Sequence, residues 1–222
     1  METIAALDKQ IAQRSLLNHP FYQAWTKGEL TAAALKDYAM QYYRHVEAFP
    51  TYLSALHSHT EDASTRRHIL RNLMDEEAGS PNHPELWLQF AEAMGASEGD
   101  VRSAEAWEET RRLVQTFRAI CRDDSTAEGL AALYSYESQI PAVASSKIVG
   151  LKRFYAVDHP KALAYFEVHE EADREHSAVE RRLLAQHTSA ANETAVKSAS
   201  ARALEALWEM LSGVCRRHGM AC

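Results

Sequence analysis

The segment His169–Glu170–Glu171–Ala172–Asp173–Arg174–Glu175–His176 constrains this chain more than any other. It lies inside a run, Pro160 to Gln186, whose apolar residues repeat at helical spacing. At about 100° per residue, positions i, i+4 and i+7 fall within roughly 60° of one another, so His169, Asp173 and His176 share one helix face. That face also carries Ala162, Tyr165, Phe166, Ala172, Val179 and Leu183, the stripe a helix turns toward a core. A buried carboxylate or imidazole is costly without a partner. A charge, a hydrogen-bond network or a metal ion must therefore satisfy these three, and other segments must supply it.

With 222 residues and 46% hydrophobic content the chain can bury one sizeable core, which favours a single domain over residues 1–222. Eight glycines and six prolines are few for this length, while Ala, Leu, Glu and Arg are plentiful, so an all-α fold is expected. A net charge of −7 with no block of consecutive Lys or Arg offers no footprint for nucleic acid or an anionic membrane. Met1 to Arg14 contains Glu2, Asp8, Lys9 and Arg14 and no long apolar core, so it reads as neither a signal peptide nor a membrane span. A cytoplasmic location is the expectation. Cys121, Cys215 and Cys222 are an odd set without CxxC spacing and read as reduced thiols rather than a disulfide framework or structural zinc site.

A first helix is expected over Thr3 to Leu17, interrupted by His19–Pro20, with the aromatic cluster Phe21, Tyr22 and Trp25 following as core packing. Thr31 is a credible N-cap for a long stretch through Leu56 that contains Pro50, where a kink is expected. The next helix, Ala63 to Glu77, ends in a carboxylate. Ile69, Leu73 and Glu76 form one line and Leu70, Leu73, Met74 and Glu77 a competing one, so periodicity leaves Glu76 and Glu77 open. After Gly79–Asn82, His83 opens a segment running from Pro84 to Met94; a lone His beside a turn is ordinarily exposed or simply hydrogen-bonded. One helix is read from Ser97 to Arg122, and Ser125 with Glu128 forms a capping box before an apolar face that contains Glu137. Pro141 kinks or ends that turn. Lys147 follows beside apolar residues, where a lysine normally reaches out to water. A final helix spans Glu193 to Arg217, giving seven or eight helices in one bundle.

Collected together, the inward polar residues are Glu76, His83, Glu137, His169, Asp173 and His176. Imidazoles and carboxylates from separate helices suit a pair of transition-metal ions, and iron or manganese tolerates this mixture with positions open for O₂. The chain has no HExxH, which argues against a zinc protease.

Five stretches, HPFYQAWTKGEL, AFPTYLSALHS, NLMDEEAGSPNH, ALYSYESQIP and YFEVHEEADREH, together resemble the CADD family across roughly residues 15 to 185. That resemblance implies a haem-oxygenase-like all-α bundle, shared with TenA and PqqC proteins, and an O₂-activating dinuclear metal oxidase that makes para-aminobenzoate for folate synthesis. Matched by motif, it makes Glu76, His83, Glu137, His169, Asp173 and His176 the ligands of a di-iron or iron–manganese site supplied by an external reductant. It also implies that the protein is its own substrate, Tyr22 giving the ring and Lys147 the amino group. Tyr38, Tyr43, Tyr136 and Tyr165 are then candidates to carry a radical to Tyr22, in an order left open, and a homodimer is expected. Beyond about Leu184 the similarity is slight. Competing readings are an oxygenase of the same fold acting on a free amino acid or fatty acid, and a binding module with no catalysis. A TenA-like thiaminase is disfavoured because Leu130 to Glu137 contains no cysteine nucleophile, and a PqqC-like synthase would leave the six ligand-type residues unexplained.

Overall fold

A computed structural model describes residues 2–222; Met1, at the head of the amino-terminal stretch read above, lies outside the described residues. Every regular element described is a helix. The first half contains α1 (Glu2–Gln13), α2 (Pro20–Lys27), α3 (Ala32–His59), α4 (Ala63–Glu77), α5 (His83–Ala93) and α6 (Glu98–Ser103). The second contains α7 (Glu108–Asp123), α8 (Thr126–Glu137), α9 (Ile140–Phe154), α10 (Pro160–His187) and α11 (Glu193–Arg217).

These eleven described α-helices, with a 3-10 turn at Leu16–Asn18, exceed the seven or eight expected, and side chains from elsewhere in the chain explain two departures from the expected bounds. The helix expected over Thr3 to Leu17 stops at Gln13, and Leu16 instead donates its N–H to Gln139 Oε1 at 2.8 Å. The single helix read from Ser97 to Arg122 is split into α6 and α7. Gln41, on α3, holds the break: its Nε2 donates to Glu105 O at 3.0 Å, and its Oε1 accepts from Trp107 N at 2.9 Å and Thr110 Oγ1 at 2.8 Å. One amide thereby satisfies backbone groups that a continuous helix would have paired internally.

The local start signals act as the sequence implies. Thr31 Oγ1 accepts from Ala34 N at 3.1 Å, and Ser125 and Glu128 form a complete capping box. The helix α3 runs unbroken through Pro50. It packs against α4, α5 and α7, while α10 packs against α5, α8 and α9, so α3, α4, α5, α8 and α10 enclose one interior. No described helix is long and apolar enough to cross a membrane.

Close approach at Gly150 positions the aromatic part of that interior. A Cβ there would lie 2.5 Å from Trp25 Nε1, which itself donates to Lys147 O at 3.3 Å. Alanine at a helix interior gains about 1 kcal/mol over glycine, but overpacking against a locked indole costs about 1–3 kcal/mol. Gly150→Ala is therefore expected to lower stability in thermal denaturation; an unchanged midpoint would show that Trp25 has room to move.

Candidate metal centre

Both inward carboxylates contributed by single helices sit where the backbone disfavours them. Glu76 is the penultimate residue of α4 and Glu137 the last residue of α8, each at the negative end of its helix dipole with no basic residue in the last turn. His83 opens α5 behind an Asn82–Glu85 capping box, and α10 projects His169, Asp173 and His176 between these ends.

The residues fall into two groups, Glu76–His83–His169 and Glu137–Asp173–His176, each with its ligand atoms within 4.8 Å of one another. In the first, His83 Nδ1 lies 2.9 Å from Glu76 Oε2, and His169 Nε2 lies 3.8 Å from Glu76 Oε1. His169 Nδ1 donates to Tyr165 O at 2.7 Å, which leaves the Nε2 lone pair facing the Glu76 carboxylate. In the second, His176 Nε2 donates to Asp75 Oδ2 at 3.0 Å, so its Nδ1 faces Glu137 Oε1 at 3.3 Å and Asp173 Oδ1 at 3.5 Å. His169 and His176 are thus each held by an acceptor outside the group in the tautomer that presents a lone pair to it. Asn72 donates to Glu137 Oε1 at 2.8 Å.

Lone pairs aimed at carboxylates repel unless a cation lies between them. Burial pushes Glu76 up, but the imidazoles of His169 and His83 outweigh it and hold the carboxyl at about 2. Burial pushes His176 down, yet the facing carboxylates of Asp173, Glu137 and Asp75 hold it up at about 11. Burial lifts Asp173 to about 6 despite His176 and His169. In the absence of metal a proton plays the cation's part. His83 Nδ1, Glu137 Oε2, Asp173 Oδ2 and His176 Nδ1 nevertheless remain buried without hydrogen-bond partners. Oriented lone pairs and orphaned carboxylate oxygens of this kind fit divalent metal ions. A further group, His19, Cys215 and Cys222, is different. His19 Nδ1 already accepts from Phe21 N, so Nε2 carries the proton directed at Ser212 Oγ, and the ring has no free lone pair.

Next to the first group lies an aromatic chamber. The Tyr165 ring stacks on His169 at 3.9 Å, Trp87 meets Tyr165 at 4.8 Å and Tyr38 at 5.8 Å between ring centroids. Tyr38 and Tyr22 bring their hydroxyls to 3.2 Å, and Tyr42 donates to the Tyr136 hydroxyl at 3.0 Å. Lys147 is buried among them: its Nζ donates to the Tyr38 hydroxyl at 2.6 Å and lies 5.0 to 5.5 Å from the rings of Tyr22, Tyr38, Tyr42, Trp87 and Phe166. Aromatic faces favour an ammonium by about 2 kcal/mol or more when desolvated, but burying an ion without a counter-charge costs several kcal/mol. Burial wins and holds the Lys147 amine well below its ordinary range. The expectation that Lys147 reaches water is overturned, because α2, α3 and α5 close over it.

Of the open choices, Glu76 is buried and Glu77 exposed. The simple expectation for His83 also yields to burial. Tyr22, Tyr38, Tyr136 and Tyr165 lie in the interior around the two groups, whereas Tyr43 does not join them: its hydroxyl donates to Glu47 at 3.3 Å and accepts from Arg102 at 2.9 Å. Sequence reading missed Tyr42, Trp87, Asn72 and Asp75. Two carried a signal: Tyr42 follows Tyr38 by four residues, and Asn72 precedes Glu76 by four, each on its partner's helix face.

An all-helical bundle with two buried histidine–carboxylate groups defines the class. Its fold matches a heme oxygenase-like domain from Shewanella denitrificans with a TM-score of 0.83 at 17% identity, covering 97% of this chain and 93% of that one. Residues 8–215 match the TENA/THI-4/PQQC family, to which the chain belongs. It is 46% identical over 209 residues to a protein of Chlamydia pneumoniae named 4-aminobenzoate synthase, covering 94% of this chain and 93% of the relative. A Nitrosomonas europaea protein of the same name is 44% identical over 218 residues, covering 94% and 89%.

Proposed function

We propose that the chain is an O₂-dependent metalloenzyme that forms 4-aminobenzoate for folate synthesis, taking the ring from its own Tyr22 and the nitrogen from its own Lys147. The naming of relatives at 44–48% identity supports the product. The observation that carries the self-substrate reading is Lys147 itself: a buried amine with no acidic partner among the described residues, bonded to Tyr38 and 5.5 Å from the centre of the Tyr22 ring. A lysine placed only for stability would carry a counter-ion.

Glu76, His83 and His169 would hold one ion, and Glu137, Asp173 and His176 the other. When bound, two irons or an iron and a manganese supply the oxidising power of O₂ reduction, with electrons from an external donor. The chain does the rest. Burial raises the Tyr22 and Tyr38 hydroxyls above their ordinary range, so both phenols keep their protons until oxidised. Tyr165, Trp87 and Tyr38 form a contiguous aromatic line from His169 to Tyr22 along which an electron can leave the ring. Lys147, whose charged form burial disfavours, offers its amine to the oxidised ring, while Tyr38 orients its Nζ and the surrounding rings exclude water.

The test is an assay for 4-aminobenzoate on purified protein loaded with Fe(II), with and without Mn(II), given O₂ and reductant but no organic substrate. Product at or below one per chain, with mass lost from the peptides holding Tyr22 and Lys147, is the expected outcome. No product from fully loaded protein would point to an external substrate. Tyr22→Phe is expected to keep its metal and lose the product. Its stability should change by about 1 kcal/mol, because only one hydrogen bond is removed; continued product would free Tyr22 of the role.

A further inference from the structure

Glu180 follows His176 by one helical turn and continues the α10 face of His169, Asp173 and His176. Its side chain is 5% exposed, and neither carboxylate oxygen has a hydrogen-bond partner among the described residues. It lies against Glu137, with the Asp173 carboxylate also near, and a buried carboxyl without a partner is costly to keep there. Its neighbours one turn further on, Leu183 and Leu184, are apolar, and an apolar residue at 180 would bury without such cost.

The two metal groups are otherwise unequal in a telling way. The first offers one carboxylate and two imidazoles; the second offers two carboxylates and one imidazole, with Glu137 Oε2, Asp173 Oδ2 and His176 Nδ1 all unpaired. Glu180 adds two more unpaired oxygens beside that second set. Glu180, His176, Asn72 and Asp75 also line a cavity of about 80 Å³, bordered by exposed Arg71 and Glu175, through which an ion and its waters can enter.

We propose that Glu180 is a further ligand of the second metal position, giving it three carboxylates and one imidazole. This rests on the dinuclear reading above. It makes the second position oxygen-rich and the first nitrogen-rich, so the two differ in the hardness of the ion they favour.

The rival role for Glu180 is structural: a protonated carboxyl donating a hydrogen bond to Glu137. Glu180→Gln separates the two, because an amide can still donate that bond but cannot supply a carboxylate. Wild-type protein and variant are titrated with Mn(II), metal per chain is measured, and the ions are located by anomalous diffraction. Wild type is expected to take two ions. Glu180→Gln should keep the first position filled and the metal-free thermal midpoint unchanged, while the dissociation constant of the second ion rises on the order of tenfold or more. Glu180→Asp, which retains a carboxylate, should bind the second ion more tightly than Glu180→Gln. Wild-type affinity for both ions in Glu180→Gln, or the reverse order of the two variants, overturns the assignment of Glu180 alone. Wild-type protein that takes up a single ion overturns the dinuclear reading with it.

Discussion

Lys147→Met is expected to leave metal content unchanged, raise thermal stability and reduce 4-aminobenzoate formation below detection. Methionine follows the lysine stem as far as Cε and removes a buried polar group whose one hydrogen bond is to Tyr38. Tyr38 keeps the Tyr22 hydroxyl at 3.2 Å as a partner, so no orphan is created. The pH dependence carries a sign that a simple packing change would not. Burial holds the folded-state pKa of Lys147 well below 10.5, so the unfolded chain binds a proton that the folded chain does not. Wild-type stability therefore rises with pH from that depressed pKa up to about 10.5. The advantage of Lys147→Met should be larger at pH 7 than at pH 10, measured as the difference in thermal midpoint. An advantage growing with pH would mean that the amine is charged in the folded state; product from the variant would mean that the nitrogen comes from elsewhere.

How much of this centre can be read from sequence depends on whether one helix or several decide it. His169, Asp173 and His176 were legible because their spacing lies within a single helix with a clear apolar face. Glu76 and Glu77 were not separable in that way, since both lines of α4 carry apolar residues. Packing decides: Leu70 and Met74 on the competing line are 39% and 55% exposed, and the Glu76 line turns to α3. Lys147 and Tyr22 are further from reach, because their burial depends on aromatic residues of other helices meeting in space. Only the family resemblance singled them out. Tyr42 and Glu180 lie between these extremes. Tyr42 shares the Tyr38 face where Tyr43 does not, and Glu180 extends the His169–Asp173–His176 spacing by one more turn. The helix count was underread for a related reason: Gln41 breaks the Ser97–Arg122 stretch from a different helix, which no local pattern records.

His176→Ala is expected to empty the second metal position and abolish product, with metal falling from two ions per chain toward one. His176 is the nitrogen donor facing Glu137 and Asp173, at 3.3 and 3.5 Å, and the sole imidazole of that group. Without it, buried carboxylates face one another with neither an imidazolium nor a firm metal anchor. Breaking a buried charge pair in this way costs about 3–5 kcal/mol, so the metal-free variant should melt well below the metal-free wild type. The sign of the pH effect is opposite to that of Lys147. His176 is raised from 6.5 to about 11, so its contribution is fully present below pH 6.5 and is lost as pH rises toward 11. The gap between metal-free wild type and variant should therefore be wider at pH 7 than at pH 10. Metal uptake by wild type competes with that same proton, and apparent affinity should rise with pH over this range. A His176→Ala protein that holds two ions and makes product at the wild-type yield would remove His176, and with it the second metal position, from the reaction.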